Sequence, residues 1–243
     1  MGPAMNSFCE QFIRTKYDDR ESWLKAKEVL HSASEAASVM QISPWVSKVQ
    51  LWEEKVGLRK REDISGKPGV QRGIDEEPII REQFIQDHPE FSIYHHPYEI
   101  LQLKRKPFIS CSLDGEITVV SKNFYGLPVG SRGVLQIKTG SYSSKHYLDK
   151  WTGSVLPDFY FVQEVQELLV TGWDFAWVQA KLFRIDRVYA NGKDNSFLPE
   201  QLETYYLIRA TDPAVIESMQ VIEEADTQFW HDVQTRHCPD ITV

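Results

Sequence analysis

The 243-residue chain has few cysteines, no long apolar run and no excess of positive charge. Each absence closes off a class of protein. The three cysteines, Cys9, Cys111 and Cys238, show neither CxxC spacing nor an even count. That argues against a disulfide framework and a cysteine-based zinc site, and it points to a reducing cytoplasm. No apolar run approaches the ~20 residues of a membrane span, and the N-terminal stretch has no apolar signal-peptide core. A Gly-rich phosphate loop is missing, which argues against an ATPase of that class. His95-His96 and His146 lack ligand spacing to a cysteine or a second histidine cluster and read as surface or loop residues. Internal repeats and low-complexity linkers are absent as well.

What is present describes one globular domain: 42% hydrophobic and 26% charged residues, enough for a sizeable core. The formal net charge is −8, so the surface as a whole is not built to coat nucleic acid. The balance still leaves room for basic residues lining a channel inside an acidic exterior. Arg59-Lys60-Arg61, Lys104-Arg105-Lys106 and the stretch from Lys145 to Lys150 are either such a lining or solvated turns.

Periodicity predicts helices over 8–40, with Ser22 as a possible cap before Trp23, Ala26 and Leu30, and another over 44–57 that stops at Gly57. Residues 59–71, with Gly66, Pro68 and Gly69, read as a mobile loop. Residues 73–87 read as a helix, and strands follow at 91–95, 98–104, 107–120 and 133–139. Lys145 to Trp151 is a short helix. Pro157 opens a longer one that Gly172 caps. Strands at 175–185 and 204–208 precede a helix opened by Asp212-Pro213 and running to about Val233. The expected fold is α/β, a central mixed sheet flanked by helices. It forms a single domain over 1–243, with N-terminal helices over 8–57, a core over about 72–185, and a C-terminal strand and helix over 200–235. Trp173, Trp177 and Phe229-Trp230 read as core rather than as exposed platforms.

Asp114 ends one apolar-alternating run and Gln136-Ile137-Lys138 ends another. Read as adjacent strands, Ile109–Asp114 and Gly133–Lys138 bring three polar side chains to one point. Period-two geometry puts Gln136 and Lys138 on one face and Ile137 on the other. The helix over 73–87 offers Glu76, Glu77 and Glu82, and one of these can join Asp114. Oxygen ligands of this kind suit a hard divalent cation, which keeps waters and takes substrate phosphate for the rest of its shell. Such a centre can cut phosphodiesters, because the cation activates water and neutralises charge while a lysine stabilises what develops.

Several stretches in order then resemble one family. Trp23-Leu24-Lys25-Ala26-Lys27, Ser32-Ala33-Ser34-Glu35, Ser43-Pro44-Trp45 and Leu51-Trp52-Glu53-Glu54-Lys55-Val56-Gly57 look like its N-terminal segments. Arg72-Gly73 with Glu77-Pro78 resembles its acidic helix, and Ser112-Leu113-Asp114-Gly115 with Leu135-Gln136-Ile137-Lys138 its core. Pro157, Tyr160 and Gln163, then Leu168, Val170, Thr171 and Gly172, resemble its post-core helix. Over roughly residues 20–180 the chain resembles the phage lambda exonuclease-like (YqaJ-type) alkaline exonucleases, within the Asp…(Asp/Glu)-x-Lys nuclease superfamily.

The resemblance implies a restriction-endonuclease-like core and Mg²⁺-dependent (or Mn²⁺-dependent) degradation of linear double-stranded DNA from 5′ ends. Mononucleotides are released and 3′ single strands are left for recombination by strand annealing. It implies a ring-shaped homotrimer, a single-strand annealing protein as partner, no membrane, and the cytoplasm of a bacterial or phage-infected cell. By position it implies Asp114 and Glu77 as metal ligands, with position 136 and the Ile137 carbonyl beside them. Lys138 holds or activates the attacking water, and Tyr160 and Gln163 line the site. Lys27, Ser34 and Ser112 hold a 5′-phosphate. Lys27 replaces the family's usual arginine and so loses the bidentate fork.

Gln136 departs from the family's carboxylate, which would lower rate by roughly 10²–10³. One reading is an inactivating Glu→Gln change that traps substrate and metal. The other is a natural variant with altered metal use. Three functional alternatives stand beside the exonuclease: a repair or restriction endonuclease of the same superfamily, a catalytically dead DNA-binding module, and a structural phage or chromosomal protein.

Overall fold

The computed structural model describes residues 10–152, 156–184 and 199–240. In chain order the elements are β1 (Phe12–Lys16), α1 (Arg20–Glu28), β2 (His31–Ser32), a 3₁₀ turn (Ala33–Glu35), α2 (Ala36–Val39), α3 (Lys48–Lys55) and α4 (Pro68–Asp87). Then come β3 (Phe91–Tyr94), β4 (Glu99–Leu103), β5 (Ile109–Cys111), β6 (Gly115–Val119) and β7 (Arg132–Tyr142). Last are α5 (Lys145–Thr152), α6 (Asp158–Thr171), β8 (Phe175–Arg184), β9 (Gln201–Arg209) and α7 (Pro213–Thr235).

The strands form two sheets, ordered β1-β4-β5-β2 and β3-β6-β7-β8-β9. Both are mixed. In the larger, β7 runs antiparallel to β6 and parallel to β8, and α5 and α6 lie in the crossover that a parallel pair needs. Leu135 and Ile137 face one way from β7 and pack with Ile80 and Phe84 of α4. Val134 faces the other way, in the cluster that includes Val162, Val165 and Leu169 of α6. The sheet is thus covered by a helix on each side, which is the expected α/β architecture. Gly133 sits opposite Phe175, and a Cβ there would lie 2.4 Å from the ring. Gly172 closes α6 in the left-handed region at φ 68°, as its position after Thr171 predicts. Trp173 and Trp177 are buried, and Trp230 stacks on Phe108.

The structure differs from the sequence-based expectations in several places. The span 8–40 is not all helix, because Phe12–Lys16 is a strand paired antiparallel with β4, Phe12 opposite Leu103. Phenylalanine, isoleucine and threonine suit a strand once a partner edge exists. Helix α1 is capped by Asp19, which accepts from the Ser22 amide, rather than by Ser22. Helix α3 begins after Ser47, whose hydroxyl accepts from the Gln50 amide, so Pro44 lies outside it. The loop after Gly57 ends earlier than expected, because Pro68 starts α4; proline's missing N–H costs nothing in a helix's first turn. The span 107–120 is two strands in two different sheets, and Ser112-Leu113-Asp114 is the crossing between them. Strand β9 is longer than 204–208. The expected strand end at Ile185, and Cys9, lie outside the described residues.

Candidate active site

The pairing of β6 with β7 ends at Gly115 opposite Leu135. The strand over Ile109–Cys111 lies in the other sheet and is not β7's neighbour; Asp114 stands just before β6, which is. Its Oδ2 accepts from the Ile137 N–H at 2.8 Å, taking the place of the missing strand partner. In an extended strand a residue's N–H and C=O point to the same edge, so the Ile137 carbonyl is turned toward Asp114 as well. Arg81 of α4 donates to the Asp114 carbonyl at 2.8 Å and also to the Glu77 carboxylate one turn earlier. His95 Nδ1 lies 3.1 Å from the same carbonyl. Histidine 95 is a loop residue, as expected, but it is part-buried against the site.

Gln136 and Lys138 do share a face, and it is the face that α6 covers. Lys138 Nζ donates to Gln136 Oε1 at 3.1 Å and to Gln163 Oε1 at 3.0 Å, and lies 5.1 Å from the Tyr160 ring centroid. Gln136 is 3% exposed, and its Nε2 donates to Glu167 Oε1 at 2.9 Å. Gln163 Nε2 donates to the same oxygen at 3.0 Å. Glu164, 0% exposed, is 3.8 Å from Lys138 Nζ. Tyr160, Gln163, Glu164 and Glu167 repeat at three and four residues, so one face of α6 delivers all four.

Glu164 and Glu167 were not in the expected site. Their signal was in the sequence: two acids on the Tyr160–Gln163 face of an otherwise apolar helix.

This much buried negative charge shapes the titrations. Burial, then Asp114, pushes Glu77 up to about 7 against the pull of Arg81. Burial pushes Glu167 up to about 8 and raises Glu164 well above the usual carboxylate range, and it raises Asp114 too. Burial would lower Lys138, but Glu164 and Asp114 outweigh it and the ammonium is held. Both oxygens of Glu164 and the Oε2 of Glu167 are buried without a hydrogen-bond partner. Carboxylates in this condition seek a cation, and the all-oxygen donor set suits a hard one. No three of these carboxylates converge within 4.8 Å, so a bound ion would draw further ligands from water and substrate.

Among the described residues the one tight trio of possible ligands is His96, Glu99 and Glu116. Arg14 already donates to both of those glutamates, so this is an ion network rather than a centre.

The three residues expected to hold a terminal phosphate are partly brought together. Lys27 Nζ lies 4.4 Å from the Trp23 ring centroid, and Trp23 Nε1 donates to Ser112 Oγ at 3.2 Å. Ser112 in turn donates to the Glu99 carbonyl at 2.8 Å. Burial lowers Lys27, and Glu35 opposes that while Arg61 and Lys55 add to it. Ser34 is exposed beside Glu35, which pairs with Lys55 at 2.9 Å and with Arg61 at 3.0 Å. Of the basic stretches, Arg59 pairs with Glu53, and Arg105 and Lys106 pair with Glu223. Those charges are largely neutralised within the chain. No helix among the described residues is long and apolar enough to cross a membrane.

The family model of the YqaJ-like viral recombinase domain matches residues 22–174. The fold is similar to the crystal structure of an alkaline exonuclease, LHK-Exo, from Laribacter hongkongensis. The TM-score is 0.56 at 16% identity, over 90% of this chain and 94% of that one. It is also similar to LHK-Exo in complex with dAMP, with TM-score 0.51 at 17% identity over the same shares. At these identities the likeness is one of fold. No curated protein matches the sequence.

Proposed function

The chain belongs to the family of YqaJ-like viral recombinase domains, and from that premise we propose that it is a divalent-metal-dependent exonuclease acting on linear double-stranded DNA. Digestion runs 5′ to 3′, releases mononucleotides and leaves 3′ single strands for an annealing partner. The working form is a homotrimeric ring, which keeps an acidic protein on its substrate. The observation that carries the reading is the seat of Lys138: a part-buried ammonium fixed by Gln136 and Gln163, on the strand whose preceding amide, that of Ile137, is held by Asp114.

Asp114, the Ile137 carbonyl and Glu77 would hold Mg²⁺, or Mn²⁺ in its place, with Gln136 beside them. When bound, the cation lowers the pKa of water and neutralises charge on the phosphate. Lys138 orients the attacking water and stabilises the charge that develops on the phosphoryl oxygens. Gln163 holds the lysine in place, and Tyr160 covers it from bulk solvent. Lys27, Ser34 and Ser112 receive the 5′-terminal phosphate. A residue that grips an end sets where cutting starts, which separates this enzyme from an endonuclease.

The test is digestion in Mg²⁺ of linear 5′-phosphorylated duplex against a nick-free circle. The proposal expects the linear DNA to disappear and the circle to survive. Cleavage of the circle would make the protein an endonuclease. DNA binding with no cutting by either the unaltered chain or Gln136→Glu would make it a binding module.

A further inference from the structure

We propose that Glu167 of α6 supplies the metal-holding carboxylate that β7 lacks, so that Gln136 is a working part of the site and not an inactivating change. The inference rests on the metal-dependent nuclease reading above.

Both ends of the Gln136 amide are in use. Its oxygen accepts from Lys138 at 3.1 Å and its Nε2 donates to Glu167 at 2.9 Å. A glutamate at 136 could keep the first contact but has no proton to donate in the second. It would set two acids against each other in the interior, where repulsion is poorly screened, and one of them would have to hold a proton to keep the contact. The surroundings are therefore built for an amide at this position.

Glu167 is 1% exposed, in a helix where leucine or valine would pack at no electrostatic cost. Its Oε1 accepts from two glutamines, which fixes the carboxylate's orientation. Its Oε2 is left buried and without a partner. A buried carboxylate oxygen in that state is unfavourable unless something charged arrives to meet it. The local charge balance agrees. Glu77, Asp114, Glu164 and Glu167 face Lys138 and Arg81. A divalent ion held there would stabilise the charged forms of acids that burial now disfavours. Glu164 fits less well as the ligand, because it already stands 3.8 Å from Lys138 as its counter-charge.

The test is Mn²⁺ titration by calorimetry on the intact chain, with thermal melting and digestion of linear duplex measured alongside. Glu167→Gln is expected to weaken Mn²⁺ binding ~10–100-fold, the range seen when a metal site loses a supporting group. It should slow digestion and melt no lower than the unaltered chain, since a buried charge has been removed without change of shape. Gln136→Glu alone should bring no gain in cutting. The exchange Gln136→Glu with Glu167→Gln moves the carboxylate across the same hydrogen bond and should recover Mn²⁺ affinity. It also carries the test if the single variant fails to fold.

Undiminished Mn²⁺ binding by Glu167→Gln would overturn the proposal. So would loss of binding in Glu164→Gln only, or a rise in cutting of ~10²–10³ from Gln136→Glu alone, the size expected when a missing transition-state charge is restored. That last result would leave the nuclease reading standing. Glu167-dependent Mn²⁺ binding without DNA cleavage by any variant would remove the nuclease reading and keep the metal site.

Discussion

The Asp114 carboxylate and the Ile137 amide are joined by a 2.8 Å hydrogen bond at the point where β6 stops pairing with β7. Asp114 is thus both a structural cap on an open strand and a charge at the mouth of the site. The two roles separate by mutation. Asp114→Asn keeps an oxygen for the Ile137 amide but loses the charge. We expect digestion of linear duplex to fall by roughly 10²–10³ with little change in melting temperature. Asp114→Ala loses both, and should cost a further 1–3 kcal/mol or so in stability, the usual penalty for orphaning a buried amide. Paired kinetics and urea unfolding check this.

Lys27, Trp23 and Ser112 form a chain of contacts from α1 to the crossing between the two sheets. If they grip a 5′-phosphate, the ratio of rates on 5′-phosphorylated and 5′-hydroxyl ends should fall toward one in Lys27→Ala. In Lys27→Arg it should rise, because the guanidinium engages phosphate through two donors where the ammonium acts as a point charge. Rates on the two kinds of end, measured side by side, decide it. An unchanged ratio in Lys27→Ala would place end recognition elsewhere.

His31 is fully buried between Asp226 of α7, at 2.8 Å, and Glu35, at 3.7 Å, with the Phe229 ring against it. Lys55 and Arg61 face Glu35 from beyond. Burial would lower the imidazole, but the two carboxylates outweigh it and push it up to about 9 from 6.5. A raised folded-state pKa means the protonated form stabilises the fold. That stability is fully present below about pH 6.5 and is lost as pH rises through 9. The shift is worth on the order of 3 kcal/mol. Urea denaturation from pH 6 to pH 9.5 should show the decline. His31→Ala should flatten it and cost about 3–5 kcal/mol at pH 6.5, because Asp226 is left buried without its partner.

Gly133→Ala should also destabilise, for a different reason. Its Cβ would lie 2.4 Å from the Phe175 ring, across the pairing of β7 with β8. Overpacking of this sort costs about 1–3 kcal/mol. A Phe175→Leu change in the same chain should recover part of the loss, and thermal melts of the single and double variants would show it.

The parts of this molecule fixed by local spacing were legible in the sequence. Period two placed Gln136 and Lys138 on one face, and Ile137 duly packs with Ile80 and Phe84 on the other. Gly172 after Thr171 marked the end of α6. What depends on distant partners was not legible. Phe12–Lys16 becomes a strand only because the edge of β4 is there to receive it. Ile109–Val119 alternates almost without interruption, so nothing local announces that the chain changes sheet at Asp114. Glu164 and Glu167 gain their place in the site only when α6 is laid across β7. Their neighbours Val162, Val165, Leu168 and Leu169 were the hint that this helix has little solvent to offer them.

The account stands or falls on end-wise, metal-dependent cutting by the chain as it is, with Gln136 in place. The most direct measurement follows release of label from linear duplex carrying a radioactive phosphate at either its 5′ or its 3′ ends, in Mg²⁺ and then with the metal chelated. The account predicts that 5′ label leaves first and leaves as mononucleotide, that 3′ label persists on single strands, and that chelation stops both. Release of 3′ label first, label on oligonucleotides, or release that continues under chelation would contradict it.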